Sequence, residues 1–308
     1  MLGDLEKGQL PAVGEAEGGL RLDAWLAGTL GIGRRAAIRL ASSARVNGRR
    51  VAKSHLVAAG DEVRLDAGAR EHAESGLEPV LLETAGDLLV LSKPAGLASV
   101  ALSGQPGPSV ARWLERMRPE CAGIGRPGEA GLVHRLDGDT SGLLLAARTP
   151  QTYDALRLQF RLHQVEKTYR AVVEGCLERS IEVDAAIGQH RKSRTRVRAL
   201  RPGDHPRYAV TPAETRITPV RAIGAFTLVE ARTRTGARHQ VRAHLAHAGH
   251  PLVGDRRYGG ESVPGIDRFL LHAASLSWLD PGSEEGREAG CEPPAGWQEA
   301  VKVLRRSA

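Results

Sequence analysis

Residues 134–142 combine carboxylates, hydroxyls and glycines in a short stretch between two apolar segments. The stretch is HRLDGDTSG and contains Asp137, Asp139, Thr140 and Ser141. Catalytic groups are concentrated on loops that a rigid scaffold positions, and a carboxylate can serve as a nucleophile or as a base. Asp-Gly and Thr-Ser-Gly are also ordinary turn sequences. Composition alone therefore leaves a catalytic loop and a plain turn equally open.

Four histidines lie close together in one later segment: His239, His244, His247 and His250. Because histidine is a common metal ligand, they make a metal-dependent nuclease or hydrolase a rival interpretation. On a helix, His244 and His247 share a face. No HExxH motif or suitably spaced carboxylate accompanies them, and Gly249 with Pro251 predicts a helix end before His250. The sequence therefore predicts no metal site.

The apolar segments around residues 134–142 predict the elements that must hold this loop. Residues 80–97 predict two short strands around a turn, and residues 131–148 predict a strand, a polar loop and a buried strand. Thr149 and Pro150 predict the start of a helix that runs through Phe160. The next segment, KTYRAVVEG, alternates as a strand does. Short strands with interspersed helices and no regular βαβ order predict an α+β domain on a mixed sheet.

A smaller module is predicted before this domain, over residues 20–66. Apolar residues at helical spacing between Leu22 and Leu30 predict one helix, and residues 34–41 predict a second. Asn47-Gly48 predicts a two-residue hairpin, because both positions tolerate positive φ. The segment DEVRLD predicts a third strand.

The remaining boundaries follow from composition. Residues 1–19 carry five glycines and no hydrophobic periodicity, which predicts a flexible leader. Residues 67–79 are polar and end in proline, as in a linker. The sequence therefore predicts a leader, a small module, a linker and a catalytic domain over residues 80–308.

Charge and hydropathy limit the class of protein and its partner. The net charge of +7 favours a polyanionic partner. Residues 20–66 hold nine Lys/Arg against four Asp/Glu, and residues 190–201 hold six Lys/Arg and no acid. No apolar run is long enough for a membrane helix, the N-terminal segment does not resemble a secretory signal, and the three cysteines are far apart. These features predict a cytoplasmic protein with reduced cysteines and no membrane partner.

Taken in order, five motifs resemble the RluA family of pseudouridine synthases. They are SKPAGL at 92–97, HRLDGDTSGLLL at 134–145, VEKTYRAVVEG at 165–175, TGARHQVRAHLAHAGHPLVGDRRYG at 235–259 and LHAASLSW at 271–278. Each motif alone is weak evidence, but the shared order of all five over roughly residues 80–280 makes the probability of a chance match very small. The resemblance implies an isomerase that converts uridine in structured RNA to pseudouridine without a cofactor.

The resemblance also implies roles for individual residues. Asp137 corresponds to the carboxylate that attacks or deprotonates the ribose, so that uracil leaves through nitrogen and rejoins through carbon. Burial opposes a charged carboxylate, and Arg242 corresponds to the family arginine that pairs with it. Tyr169 corresponds to the tyrosine that stacks on the base. Arg135 corresponds to an arginine that holds the RNA open around the extracted nucleotide, and Leu271 to an apolar residue of the uracil pocket.

The order of elements in residues 20–66 resembles the small RNA-binding domain named after ribosomal protein S-four. That resemblance implies RNA contacts by six arginines: Arg34, Arg35, Arg39, Arg45, Arg49 and Arg50. The alternative is a protein-contact module whose arginines only keep it soluble. Because ribosomal RNA-modifying family members often carry this module, ribosomal RNA is the favoured substrate and transfer RNA remains open.

The chain departs from the family pattern at two places. Gly138 follows Asp137 where the family usually has a basic residue, and Arg238 lies one place later than the usual arginine before the histidine. Another class of function also stays open, a non-catalytic RNA-binding or ribosome-assembly factor on the same fold. The presence of Asp137, Tyr169 and Arg242 argues against it.

Overall fold

The computed structural model describes residues 10–31, 37–38, 40–41, 44–65, 77–101, 108–189, 196–204 and 209–306. By its internal contacts the chain divides into two units. One consists of Met1–Glu78 and Gly96–Arg118, and the other of Pro79–Ala95 and Pro119–Ala308. Most of the predicted linker lies outside the described residues, so its boundaries stay predictions.

The first unit contains helix α1 (Leu22–Leu30) and a small sheet of β1 (Ala44–Val46), β2 (Arg49–Arg50) and β3 (Val63–Leu65). Helix α1 buries Leu22, Trp25 and Leu26, and Gly31 ends it in the left-handed conformation at φ 64°.

The hairpin predicted at Asn47-Gly48 is confirmed, since β1 and β2 pair antiparallel with Val46 opposite Arg49. Asn47 and Gly48 both have positive φ. Residues 37, 38, 40 and 41 are helical, whereas the rest of the predicted second helix lies outside the described residues.

The chain is already packed before Leu20, where the sequence predicts order to begin. Leu10 and Val13 are buried, and their amides donate to the carbonyls of Val63 and Asp61. Two apolar residues therefore anchor part of the segment that glycine content marks as a leader.

The first unit also contains α2 (Val110–Met117), whose N-cap Ser109 accepts a hydrogen bond from the amide of Arg112.

The second unit is built on a nine-stranded mixed sheet, which confirms the predicted α+β class. Its strands are β4 (Val80–Ala85), β5 (Leu88–Lys93), β6 (Ser141–Ala147), β7 (Glu166–Glu174), β8 (Ile181–Asp184), β12 (Glu214–Ile223), β13 (Phe226–Thr233), β14 (Leu271–Leu279) and β15 (Gly286–Gly290). The order is β4-β5-β6-β14-β7-β13-β12-β8, and β15 pairs with β14. A smaller sheet joins β9 (Ile187–Gln189), β10 (Val197–Ala199) and β11 (Val210–Thr211).

The α-helices in the described part of this unit are α3 (Pro150–Arg161), α4 (Gln240–His247) and α5 (Ala295–Arg306). Helix α3 begins as predicted, because the Thr149 hydroxyl accepts a hydrogen bond from the amide of Thr152. The strand predicted before the HRLDGDTSG loop is wrong in its extent, since only an isolated bridge from Leu132 to Ala146 forms there. Across the part of the chain that the structure describes, no helix has the length and apolar character needed to cross a membrane.

Strands β6 and β14 pair in parallel at the centre of the sheet, with His272 opposite Ser141 and Ala273 opposite Gly142. Gly142 has φ 115°, and a Cβ there would lie 2.2 Å from the carbonyl oxygen of Ala273. Only glycine fits this approach. Since the two strands run in the same direction, the loop before β6 and the first residue of β14 reach the same edge of the sheet.

Candidate active site

A cavity of about 560 Å³ opens at this edge, within the range of small-molecule sites. Its lining includes all five residues that the sequence assigns to catalysis and to substrate binding in this unit: Arg135, Asp137, Tyr169, Arg242 and Leu271. They come from the loop before β6, from β7, from α4 and from the start of β14. The fold therefore brings together residues that lie more than a hundred positions apart in sequence.

The loop before β6 holds Asp137 in a tight turn, in which the amide of Thr140 donates to the Asp137 carbonyl at 3.1 Å. Leu136 and Thr140 are buried on either side. The Asp137 side chain keeps 26% of its surface exposed and lines the cavity. This geometry leaves the carboxylate accessible to a ligand while its backbone is fixed.

Lys93, at the end of β5, binds the backbone of the same loop. Its ammonium group is completely buried and donates to the carbonyls of Gly138 and Pro94, each at 3.0 Å. Burial lowers the pKa of Lys93 to about 7, although the negative charge of Asp137 works against this shift. Lys93 belongs to the SKPAGL motif, but the sequence assigns no role to it.

Arg242 lies at the first turns of α4 and joins two carboxylates. Its Nη1 donates to Asp137 at 2.9 Å, and its Nε and Nη2 donate to Asp255 at 2.7 and 2.8 Å. The guanidinium also stacks on the rings of Tyr258 and Phe269, with centroid distances of 4.9 and 4.3 Å. Burial opposes its charge, but the hydrogen bonds and charge of Asp255 raise the pKa of Arg242 above its usual value.

Asp255 is a site residue that the sequence reasoning missed. Its side chain is only 2% exposed, and its two oxygens match the guanidinium fork of Arg242. The signal was present in the GDRRYG part of the motif, because an aspartate beside buried apolar residues needs a cationic partner.

His239 approaches Asp137 from the N-terminal end of α4. Its Nε2 lies 3.7 Å from Asp137 Oδ1, and its Nδ1 forms a 2.8 Å hydrogen bond with the hydroxyl of Tyr258. Burial lowers the pKa of His239 to about 4. The ring is therefore neutral at neutral pH, and the charge of Asp137 is compensated by Arg242 rather than by His239.

Gln240 fixes the backbone where α4 begins. Its amide nitrogen donates to the carbonyl of Glu214 and to the hydroxyls of Thr215 and Thr233, while its oxygen accepts from the amide of Ala237. This network holds the segment before α4 in place, so that Arg242 and His239 both reach Asp137.

Tyr169 and Leu271 form the apolar side of the cavity. Tyr169 lies on β7 opposite Ala273 of β14, and Leu271 is the buried first residue of β14. Burial, and then the nearby charge of Asp137, raise the pKa of Tyr169 above its usual value. A protonated phenol ring beside an apolar side chain suits contact with a flat, neutral base.

The arginines predicted to bind RNA occupy different parts of the chain. Arg135 is exposed and lines the cavity. Arg45, Arg49 and Arg50 are exposed on the hairpin of the first unit. The other three, Arg34, Arg35 and Arg39, lie outside the described residues. Arg238, whose displaced position marks a departure from the family pattern, is exposed and does not line the cavity.

Three of the four histidines that suggested a metal site, His239, His244 and His250, have separate hydrogen-bond partners. His244 is buried between the Thr215 hydroxyl and the Ala185 carbonyl, both at 2.8 Å. His250 contacts the carbonyl of Glu174. Among the residues that the structure describes, no group of three or more His, Cys, Asp or Glu is arranged to hold a metal ion.

Comparisons with known proteins identify the family. The profile of the RNA pseudouridylate synthase family matches residues 87–247. An uncharacterized RNA pseudouridine synthase of Mycobacterium bovis is 32% identical over 93% of this chain and 95% of its own length. Ribosomal large subunit pseudouridine synthase D of Yersinia pestis is 33% identical over 87% of this chain and 86% of its own length. Ribosomal large subunit pseudouridine synthase C of Vibrio vulnificus is 32% identical over 85% of both chains.

Solved structures share the fold. The human protein RNA pseudouridylate synthase domain containing 4 has a TM-score of 0.56 at 22% identity, covering 73% of this chain and 92% of its own. Human RNA pseudouridylate synthase domain containing 1 has the same TM-score at 24% identity, covering 75% of this chain and 97% of its own. The family match and the relatives above 30% identity show that the chain belongs to the RNA pseudouridylate synthase family, of the RluA type.

Proposed function

We propose that this protein isomerises uridine in ribosomal RNA to pseudouridine, with Asp137 as the catalytic carboxylate and without a cofactor. The observation that carries the proposal is the pairing of a cavity-facing Asp137 with a buried Arg242 that Asp255 holds in place. An isomerisation needs no outside oxidant, reductant or water. The glycosidic bond moves from nitrogen to carbon of the same uracil, and the proton lost from that carbon is balanced by the proton gained at nitrogen.

Arg242 supports this chemistry by keeping the aspartate charged. A carboxylate in a confined cavity is pushed toward its neutral form, and a fixed guanidinium at 2.9 Å opposes that tendency. The ionised Asp137 can then attack or deprotonate the ribose. In this proposal Tyr169 stacks on the uracil ring and Leu271 excludes water from its other side, while the detached uracil rotates.

Arg135 has a role outside the chemical step. Extracting a nucleotide from a stacked helix costs a few kcal/mol, and a side chain that fills the vacated space lowers this cost. Arg135 is exposed, lines the cavity and lies two residues before Asp137. The proposal places it in the RNA at the position that the uridine leaves.

Ribosomal RNA is the substrate we favour, because several relatives are named as ribosomal large subunit pseudouridine synthases. The first unit supports this choice as a proposed RNA-binding module, since its hairpin presents Arg45, Arg49 and Arg50. Transfer RNA is the competing substrate in the same assay. The proposal includes a cytoplasmic location and a reaction that uses no bound metal.

The test uses purified full-length protein and large-subunit ribosomal RNA transcribed with uridine that carries tritium at carbon 5. Release of tritium, together with mapping of pseudouridine, reports the reaction. We expect turnover by the native protein and none by Asp137→Asn, with RNA affinity within a few-fold of native. Asp139→Asn is the matched control, because it removes a neighbouring charge from the same loop outside the cavity lining.

Binding without tritium release by the native protein on ribosomal and transfer RNA would favour the non-catalytic assembly factor. Turnover by a pure Asp137→Asn preparation would remove Asp137 from the mechanism. Loss of activity with a chelator on an unstructured RNA, restored by zinc, would revive the metal-dependent interpretation.

A further inference from the structure

The charge along the cavity wall is strongly one-sided. Among the described residues that line the cavity, Asp137 is the one carboxylate, against six Lys and Arg residues. Of these cations, Arg242 is neutralised by Asp137 and Asp255, and Arg135 already has a proposed place in the RNA. Four remain, and we call them the basic wall: Arg126, Arg157, Arg161 and Lys167.

The four residues of the basic wall line one cavity, and their charges reach two neighbouring side chains. Burial and the hydrogen bond to Glu129 raise the pKa of Tyr153, while the charges of Arg157 and Arg126 lower it. Burial, followed by the charges of Lys167 and Arg157, lowers the pKa of His134 to about 3. The charge of Arg157 therefore acts on both of these side chains. Arg161 follows Arg157 by one turn on α3 and lines the same cavity.

Two residues of the basic wall donate to neutral carbonyl groups. Lys167 is only 6% exposed, and its ammonium donates to the carbonyl of Arg234 at 2.9 Å. Arg157 donates to the carbonyl of Val133 at 3.1 Å. Both acceptors are neutral. Within the described part of the chain, no carboxylate forms an ion pair with any of the four residues.

A buried ammonium and three arginines beside one cavity match a polyanion better than a neutral ligand. Phosphodiesters carry one negative charge per nucleotide, and arginine and lysine are their usual partners. A uridine whose base lies against Tyr169 necessarily brings its own flanking phosphates to the cavity. We propose that the basic wall binds the phosphodiesters on either side of the target uridine. This inference rests on the proposed function and assigns to these residues the RNA backbone next to the reacting nucleotide.

The experiment compares two double variants that remove the same charge. Arg126→Gln with Arg161→Gln changes two exposed residues of the basic wall. Arg179→Gln with Arg221→Gln is the control, because both arginines are exposed and neither lines the cavity. Binding of each protein to a short polyuridine strand is measured over a series of salt concentrations. Thermal unfolding checks that each variant is folded.

The basic-wall variant should lose about 0.7 units of salt slope for each phosphate contact, hence about 1.4 units in all, while the control keeps the native slope. The apparent KM on ribosomal RNA should rise in parallel. Lys167→Met, if folded, should weaken binding in the same direction. Because the arginine pair is exposed, it carries the test even if Lys167→Met does not fold.

Two results would overturn the proposal. One is a salt slope in the basic-wall variant equal to that of the native protein. The other is an equal decrease of the salt slope in the control variant, which would indicate an effect of general charge rather than a local contact. Either result leaves turnover by the native protein intact. Failure of the native protein to make pseudouridine in any RNA would instead remove the proposed function, whatever the slopes.

Discussion

Arg242 binds Asp255 through two parallel hydrogen bonds, at 2.7 and 2.8 Å, and only its remaining nitrogen reaches Asp137. The bidentate pair is buried, whereas Asp137 is partly open to the cavity. The position of the guanidinium is therefore set by Asp255 and by the rings of Tyr258 and Phe269, and Asp137 meets a cation that is already in place.

Replacing Arg242 should abolish activity. Arg242→Leu leaves Asp137 and Asp255 without their cation, and loss of one partner of a buried ion pair costs about 3 to 5 kcal/mol of folding stability. Arg242→Lys should recover only part of the activity, since an ammonium group cannot bind Asp255 in parallel. Tritium release and chemical denaturation measure both effects. Arg238→Leu is the control, and an inactive Arg238→Leu beside an active Arg242→Leu would reverse the assignment of this motif.

Replacing Asp255 tests positioning apart from chemistry. Asp255→Asn keeps the size of the side chain but loses its charge, so the guanidinium can shift away from Asp137. We expect kcat to fall by about 100-fold, the effect of a displacement of roughly 1 Å in a catalytic group, with little change in KM. Asp255→Glu should restore part of the loss. A fall in kcat no larger than the measured loss of folded protein would indicate a structural role alone, and exposed Asp267→Asn provides the control.

Lys93 should make stability depend on pH above neutrality. Its folded pKa is about 7 against an ordinary value of 10.5, so between these values the unfolded chain holds a proton that the folded chain has released. The contribution of Lys93 to the free energy of unfolding therefore rises as pH increases from about 7 to 10, by at most about 1.4 kcal/mol per pH unit.

The free energy of unfolding of Lys93→Met should depend less on pH over this window than that of the native protein. Lys302→Met, a change at an exposed lysine, should show the same pH dependence as the native protein. Urea denaturation at several pH values measures the slopes. Identical slopes for Lys93→Met and the native protein would show that the ammonium is not desolvated as the structure indicates.

The hairpin arginines should contribute to affinity for large RNA. Changing Arg45, Arg49 and Arg50 to Gln removes three exposed cations from the first unit, and each lost phosphate contact lowers the salt slope by about 0.9 units, taking duplex DNA as a guide. Tritium release on a short oligonucleotide should change much less. Triple replacement of Arg179, Arg221 and Arg305 is the matched control, and an unchanged slope on ribosomal RNA would favour a protein-contact module.

Local patterns in the sequence predict the local elements well. The hairpin at Asn47-Gly48 and the cap at Thr149 follow from rules that act over a few residues. The parallel pairing of β6 with β14 does not, because it joins residues about 130 positions apart and depends on a glycine whose need is visible only in three dimensions. The same limit explains the packed segment around Leu10 and Val13, whose hydrogen-bond partners are Val63 in β3 and Asp61 just before it.

For the site, the motifs predict that Asp137 and Arg242 lie together, and the structure places their side chains 2.9 Å apart. Asp255 and Lys93 are within quoted motifs but escape assignment. Their importance comes from burial, which a single sequence does not display for charged residues. His239 is a further residue without an assigned role in the sequence, and the structure places its ring against the hydroxyl of Tyr258 with a pKa lowered by burial to about 4.

The double anchoring of Arg242 has a consequence for the whole reaction cycle. If Asp137 bonds to the ribose or accepts a proton, it gives up its negative charge for part of that cycle. An arginine with Asp137 as its only anion would then be left as an isolated buried charge. Here Asp255 keeps the guanidinium electrically balanced throughout, so neither route of the aspartate forces the cation to move.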